Sequence, residues 1–360
     1  MNKKRFTKVR KILEEKQVDA LLISSIPNII YLSGFSGFSK EEREGFLLIT
    51  KNHNFVITDG RYRSAVKLGL KDFNFVEIEQ GQSLTETISI VARKNKIARL
   101  GIEKNNITVF EFEILSKTFK KIKNFSLSSL REIKNEEEIL LIQKACSLAD
   151  KAFDYILGKI KEGISETELK FEIEFFIKRS ADISFSTIVA FGENCALPHH
   201  QSTNKKLKKN QIVLLDFGVK IDNYCSDMTR TIFFGKATTE FKKMYQAVLE
   251  AQKQAIDFLI RNSNKDIKAS TVDKIARDYI VSRGFPAIPH SLGHGIGLEV
   301  HEDPKLSPNS KSKLSLGNIF SVEPGIYIPN FGGVRIEDLV LLTKRGPLLL
   351  SNANREIIEV

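Results

Sequence analysis

The 360-residue sequence predicts a mixed α/β (α+β) protein of two domains, residues 1–130 and 131–360. Three observations carry that reading. The chain is longer than the roughly 100–200 residues that one hydrophobic core usually organises. Helical and strand-like apolar periodicities alternate along its length. Charge accumulates over residues 130–138 (LREIKNEEE), after which Ile139, Ile142, Cys146, Ala149, Phe153 and Ile156 recur at steps of three and four, the buried face of a helix that opens a second region.

The first domain begins with a helical pattern over residues 4–16, followed by strand-like runs at 20–24, 46–50 and 55–58. Residues 83–94 and 108–118 read as further helices. Two stretches stand out: YLSGFSGF (31–38), with two glycines among aromatics, and TDGRYRS (58–64), a polar cluster after an apolar strand. In the second domain the acidic run 136–138 sits where the positive end of a helix dipole favours it, and Ser165 with Glu168 forms a capping box for the next helix. Helices over 239–260 and 270–283 precede another set of strands, so a pair of helices followed by strands occurs twice, a loose pseudo-symmetry.

Composition excludes several classes. At 42% hydrophobic and 28% charged residues the chain has ample material for cores. No apolar run approaches the roughly 20 residues that span a bilayer, and the basic N-terminus continues as an amphipathic helix without a signal peptide's apolar centre. Cys146, Cys195 and Cys225 form neither a disulfide framework nor a zinc spacing, so a cytoplasmic protein is expected. The formal charge of +11 is spread along the chain, and its densest lysine cluster (205, 206, 208, 209) precedes a strand where a solvated turn belongs. Neither a nucleic-acid partner nor a membrane is expected.

The chemistry is most legible in QIVLLDFGVKIDNYCSDMTRTIFFG (211–235), which reads as a hairpin turning at Asp222-Asn223. In that register Ile221 faces Tyr224, Gly218 faces Asp227 and Asp216 faces Thr229. Asp216 and Asp227 then project from one face of a mostly apolar hairpin, where two carboxylates repel and are costly to desolvate unless a cation lies between them. Five of the six histidines lie between positions 199 and 301, in ALPHHQS and PHSLGHGIGLEVHEDP, with glycines flanking His294. Further on, SVEPGIYIPNFGGVRIED places Glu323 at a strand end; a turn near 330–332 brings Arg335 and Glu337 back to its level. Four carboxylates and a histidine can thus meet in one cavity, and so oxygen-rich a set favours hard or borderline divalent metals: manganese, cobalt or iron, with zinc compatible.

The order DFG(x)8DMTR, HSLGHGIGLEVHE, EPGIY, VRIED resembles the pita-bread metallopeptidases, the family of methionine aminopeptidase, aminopeptidase P and prolidase. SFSTIVAFGENCALPHH and LREIKNEEEI are similar to its Xaa-Pro branch, and YLSGFSGF and TDGRY to that branch's N-terminal domain; Phe191 departs from the small polar residue often found before the glycine. The resemblance covers essentially the whole chain. It implies a creatinase/prolidase-like N-terminal domain followed by a pita-bread catalytic domain.

The same resemblance implies two divalent ions per subunit, most readily Mn2+, bridged by Asp227 and Glu337, with Asp216 on one ion and His294 and Glu323 on the other. Arg335 would hold a bridging carboxylate, while His199, His290 and His301 would place the substrate and stabilise the oxyanion; His200 has no matched role. Hydroxide generated between the ions would attack the carbonyl before proline, with Glu323 moving the proton to the departing nitrogen. The expected substrates are small peptides with proline at the second position. The main reading is an Xaa-Pro aminopeptidase and the alternative an Xaa-Pro dipeptidase, for which Lys305 is either the cation for the substrate carboxylate or a solvent lysine. Methionine aminopeptidase and a non-catalytic binding module are further readings. The family also implies a homodimer, with substrate contacts from Tyr31, Asp59, Arg61 or Tyr62.

Overall fold

The computed structural model describes residues 2–39, 41–263 and 265–360. Contacts divide it into two compact units, residues 1–131 and 132–360. In the first, β1 (Ala20–Ile23), β2 (Gly45–Thr50), β3 (Asn54–Thr58), β4 (Asn74–Glu77), β5 (Arg99–Ile102) and β6 (Lys121–Asn124) form one sheet in the order 4-3-2-1-5-6. Alternate residues of its central strands, among them Leu22, Phe46, Leu48 and Ile57, pack against α2 (Leu84–Lys94) and α3 (Val109–Thr118), while α1 (Asn2–Lys16) precedes the sheet. Both α2 and α3 start in full capping boxes, Ser83 with Glu86 and Thr108 with Glu111, which satisfy backbone donors that the first helical turn leaves free. The helices and strands expected in this half are therefore all present.

The second unit opens with α4 (Glu136–Leu157), capped by Asn135 with Glu138, and α5 (Glu166–Lys178), capped by Ser165 with Glu168. Three antiparallel strands follow: β7 (Ile188–Phe191), β8 (Gln211–Phe217) and β9 (Met228–Phe234). The hairpin register is the expected one, with Ile221 opposite Tyr224 and Asp216 opposite Thr229, and Asp222 and Asn223 take φ of 47° and 71° at the turn. Strand β8 is apolar on both faces because it lies between two cores. Val213, Leu215 and Phe217 pack with α4 and α5. Ile212 and Leu214 pack with α6 (Thr239–Arg261) and α7 (Ala269–Ser282). Asp216 continues the second series, so a strand buried on both sides ends in a carboxylate. Phe191, where the sequence departs from the family pattern, is buried in the first of these cores.

Further along the chain come β10 (Gly293–Gly295), β11 (Glu302–Leu306), β12 (Ile319–Val322), β13 (Gly325–Ile328), β14 (Gly332–Arg335), β15 (Asp338–Thr343) and β16 (Gly346–Leu349), among shorter two-residue strands. Five of them make a sheet in the order 11-10-12-15-16, and β13 pairs with β14. Gly325 lies opposite Arg335 in that hairpin, a register that, continued outward, sets Glu323 level with Glu337. Arg230 fastens the strands from below: its guanidinium, 1% exposed, meets Asp338 at 2.7 Å and donates to the carbonyls of Thr229, Glu337, Ala353 and Asn354. Among the described residues no helix is long and apolar enough to cross a membrane.

Candidate metal centre

The site is assembled from strand ends. Asp227 precedes β9, Glu337 follows β14 and His294 is the middle residue of β10; one oxygen of each acid and one ring nitrogen of the histidine lie within 4.8 Å of one another. Glu323, half-buried, brings its carboxylate to 3.3 Å from the same nitrogen, Nε2. Asp216 completes the expected five through the β8–β9 register, as a diagonal neighbour of Asp227.

Chemically the cluster is incomplete without cations. His294 Nδ1 donates to the Gly295 carbonyl at 3.1 Å, which leaves Nε2 facing Asp227 (3.7 Å) and Glu323 (3.3 Å). Acceptors this close repel unless a proton or a metal ion joins them. Three carboxylate oxygens, Asp216 Oδ1, Asp227 Oδ1 and Glu337 Oε1, are buried without a hydrogen-bond partner among the described residues. Burial pushes the Asp227 carboxyl well above the usual carboxylate range, reinforced by Glu337 and Asp216, and burial together with Glu323 and Asp216 does the same to Glu337. Asp216 is also raised, chiefly by burial. For Glu323 burial acts in the same sense but His294 outweighs it and lowers the value, and the same contact raises His294. Without metal the site therefore takes up protons; divalent ions satisfy the same atoms, so the residues present fit them.

Arg335 departs from its expected place. Its Nη2 donates directly to Asp216 Oδ2 at 2.6 Å, and it reaches Glu337 only through Thr229, whose hydroxyl accepts from Arg335 Nε (3.0 Å) and donates to Glu337 Oε2 (2.8 Å). The guanidinium thus holds the acid expected on a single ion, because the strand register puts Asp216 and Thr229 side by side beneath it. Its third arm, Nη1, donates to the Tyr327 hydroxyl at 2.8 Å.

The histidines divide into two groups. His290 Nδ1 donates to the Ser291 carbonyl at 2.8 Å, so Nε2 accepts from the Tyr327 hydroxyl at 2.9 Å; both nitrogens are engaged, and burial holds its pKa below the ordinary value. His290 thus differs from the oxyanion donor that the resemblance implies. His301 stands beside His294, ring centroids 4.2 Å apart, its pKa lowered by burial and then by its neighbour's charge. His199 and His301 are exposed and make no side-chain hydrogen bond among the described residues, so their N–H groups are open to a ligand. Lys305, exposed, pairs with His294 across β10 and β11, which sends the two side chains from one face.

In the first unit Tyr31 is 4% exposed, its hydroxyl donating to the Leu130 carbonyl at 2.9 Å under the Arg5 guanidinium, which lies 4.0 Å from the ring. Asp59 and Glu44 hold Arg61 at 2.9 and 3.3 Å; Tyr62, hydrogen-bonded to Glu44, has its hydroxyl pushed up to about 12.

Comparison with known proteins follows this geometry. The model of metallopeptidase family M24 matches residues 141–344, and that of the creatinase/prolidase N-terminal domain matches residues 5–133. The chain belongs to metallopeptidase family M24. It is 36% identical over 362 residues to the Xaa-Pro dipeptidase of Pyrococcus horikoshii, with 98% of each chain covered. Among solved structures it is similar to the Xaa-Pro dipeptidase from Bacillus anthracis (TM-score 0.92, 33% identity, 100% of both chains). It is also similar to the X-Pro aminopeptidase from Thermotoga maritima (TM-score 0.88, 32% identity, 99% of both chains). This M24 protein is a metal-dependent hydrolase of the Xaa-Pro branch.

Four residues at the M24 site escaped the sequence reading. Thr229 and Ser321 each stand two positions from an acid on one strand face, a spacing that could have flagged them; Ser321 Oγ donates to Glu323 at 3.0 Å and accepts from the His294 backbone N–H. Tyr327 lies inside the EPGIY motif yet needs Arg335 and His290 to give it meaning. Glu166 carried no signal beyond the start of its helix.

Proposed function

We propose that this chain hydrolyses the peptide bond between an N-terminal residue and proline, using two divalent ions held by Asp216, Asp227, His294, Glu323 and Glu337. The three orphaned buried carboxylate oxygens beside His294 are the observation that carries the reading. When bound, divalent ions supply Lewis acidity and make hydroxide accessible near neutral pH. Manganese suits the oxygen-rich set, as do cobalt and iron. Glu323 is the acid placed to pass a proton to the leaving nitrogen. His199 and His301 offer N–H groups to the developing oxyanion, while His290, Tyr327 and Arg335 form a relay that keeps Asp216 and the cavity wall in place.

Lys305 favours dipeptide substrates, because it projects from the His294 face where it can meet a carboxylate one residue beyond the scissile bond. Peptides extended past proline are the second reading, supported by the similarity to an X-Pro aminopeptidase. Turnover of a panel containing Ala-Pro, Ala-Pro-Ala-Ala and a Met-Gly peptide, with and without added Mn2+, tests the proposal: metal-dependent release of alanine from either proline peptide supports it, and silence on both refutes it. The family further suggests a cytoplasmic homodimer to which Asp59, Arg61 and Tyr62 add substrate contacts; sedimentation of the purified chain tests the dimer. Tyr31 has its hydroxyl committed within the first unit and takes a supporting part in that reading.

A further inference from the structure

Glu166 has no part in the chemistry described so far, yet it is the first residue of α5 and is completely buried. A buried carboxylate is tolerated only when its lone pairs are well used. Oε1 accepts from the Phe191 backbone N–H and from Asn194 Nδ2, both at 2.8 Å. Oε2 accepts from His200 Nε2 at 2.9 Å and from the N–H and hydroxyl of Thr203 at 2.9 and 2.7 Å. Burial alone would raise this carboxyl; the bonds from His200, Asn194 and Thr203 outweigh it and the net shift is downward.

All five donors belong to the segment 191–203, and His199 lies within it. The segment folds back on itself through Leu197 N–H to the Asn194 carbonyl (3.0 Å) and His200 N–H to the Leu197 carbonyl (3.1 Å). Its far end is tied to β7 by Ser202 Oγ, which accepts from the Val189 N–H and donates to its carbonyl. His199 therefore sits at the exposed crest of a loop whose interior is gathered onto one carboxylate, with the adjacent ring of His200 pinned directly to it. Connecting segments on a surface are normally mobile, whereas a group that meets a transition state must be held to within about 0.5 Å.

We propose that Glu166 is a positioning residue for His199: through His200, Asn194 and Thr203 it fixes the loop so that the His199 imidazole stands over the metal centre. The proposal rests on the reading that His199 acts on the substrate. It also gives His200, for which the family pattern supplied no role, a task of its own.

The test uses the full, metal-loaded chain and the variants Glu166→Gln, Thr203→Val and His199→Ala, with each of the first two also combined with the third. Glutamine turns one acceptor into a donor facing other donors, so the loop loosens while the fold's apolar cores stay intact. Glu166→Gln should lower kcat/KM on Ala-Pro by about 10–100-fold, the scale of an ångström-sized misplacement, with bound metal per chain unchanged. In the His199→Ala background the same substitution should change kcat/KM by less than about threefold, since residues acting through one another are not additive.

An activity-independent readout comes from the imidazole resonances of the six histidines. Glu166→Gln should move those of His199 and His200 and leave His53 in place. Thr203→Val removes one of the five bonds and should show the same pattern with a smaller loss, which keeps the test decisive if Glu166→Gln fails to fold. An equal loss with and without His199, or an unmoved His199 resonance while activity falls, overturns the proposal. Full activity in His199→Ala overturns the reading of His199 itself, and is told apart because the resonances of His199 would still shift in Glu166→Gln.

Discussion

Replacing Asp227 by Asn should make the metal-free protein more stable at neutral pH while abolishing its gain from metal. The folded state raises Asp227 and Glu337 above their unfolded values, so between the unfolded carboxylate range near pH 4 and those raised values it binds more protons than the unfolded chain. Their contribution is full at low pH and is lost as pH rises through the folded pKa. Oxygens of the two acids lie within 4.8 Å of one another. Two full charges at that distance repel by about 3 kcal/mol at an effective dielectric constant of about 20. Because the pair keeps part of its proton, roughly 1–3 kcal/mol of this should be recovered in Asp227→Asn near pH 7.5. Other carboxylates, such as Glu166 and Asp19, are shifted downward and titrate in the opposite sense, so the informative quantity is the variant-minus-wild-type difference. Urea unfolding followed by circular dichroism in chelator should give a difference close to zero near pH 4.5 that grows towards pH 7.5. Added Mn2+ should then stabilise only the wild type. A difference that is flat with pH, or a variant less stable than wild type at pH 7.5, would refute the argument.

Three further outcomes are expected. Arg230→Met removes a fully buried cation and leaves Asp338 Oδ1 without its guanidinium, with Arg355 (3.2 Å) and Gln252 (2.9 Å) still on Oδ2, which should cost about 3 kcal/mol in denaturant unfolding. At Gly293 an added Cβ would run into the carbonyl and hydroxyl of Ser321, so Gly293→Ala should lose about 1–3 kcal/mol and weaken metal binding in a titration, since His294 is the next residue. Lys305→Ala should raise KM for Ala-Pro by about tenfold or more, the scale of one charge-assisted hydrogen bond, and leave KM for Ala-Pro-Ala-Ala unchanged in steady-state kinetics.

The acids were legible because local rules control them. A two-residue turn at Asp222-Asn223 sets the register of β8 and β9, and the turn after Pro329 sets that of β13 and β14, so alternation alone brings the carboxylates to common levels. The Ser165–Glu168 capping box likewise marked the start of α5 in the sequence. The supporting groups were not legible, because their partners lie far away in sequence. Arg335 meets Asp216 across 119 residues, and Glu166 meets its loop across 25–37. No periodicity encodes such pairs. His290 shows the same limit from the other side: residue type and motif pointed to the substrate, and only the Tyr327 hydroxyl at 2.9 Å revealed that its ring is already occupied.

The guanidinium of Arg335 on Asp216 bears on the order of events in the cell. With one acid neutralised by a residue of the chain itself, and its neighbours able to keep a proton, the protein can finish folding before it meets an ion. Ion loading is then expected to come late and to be reversed by chelator without unfolding the chain.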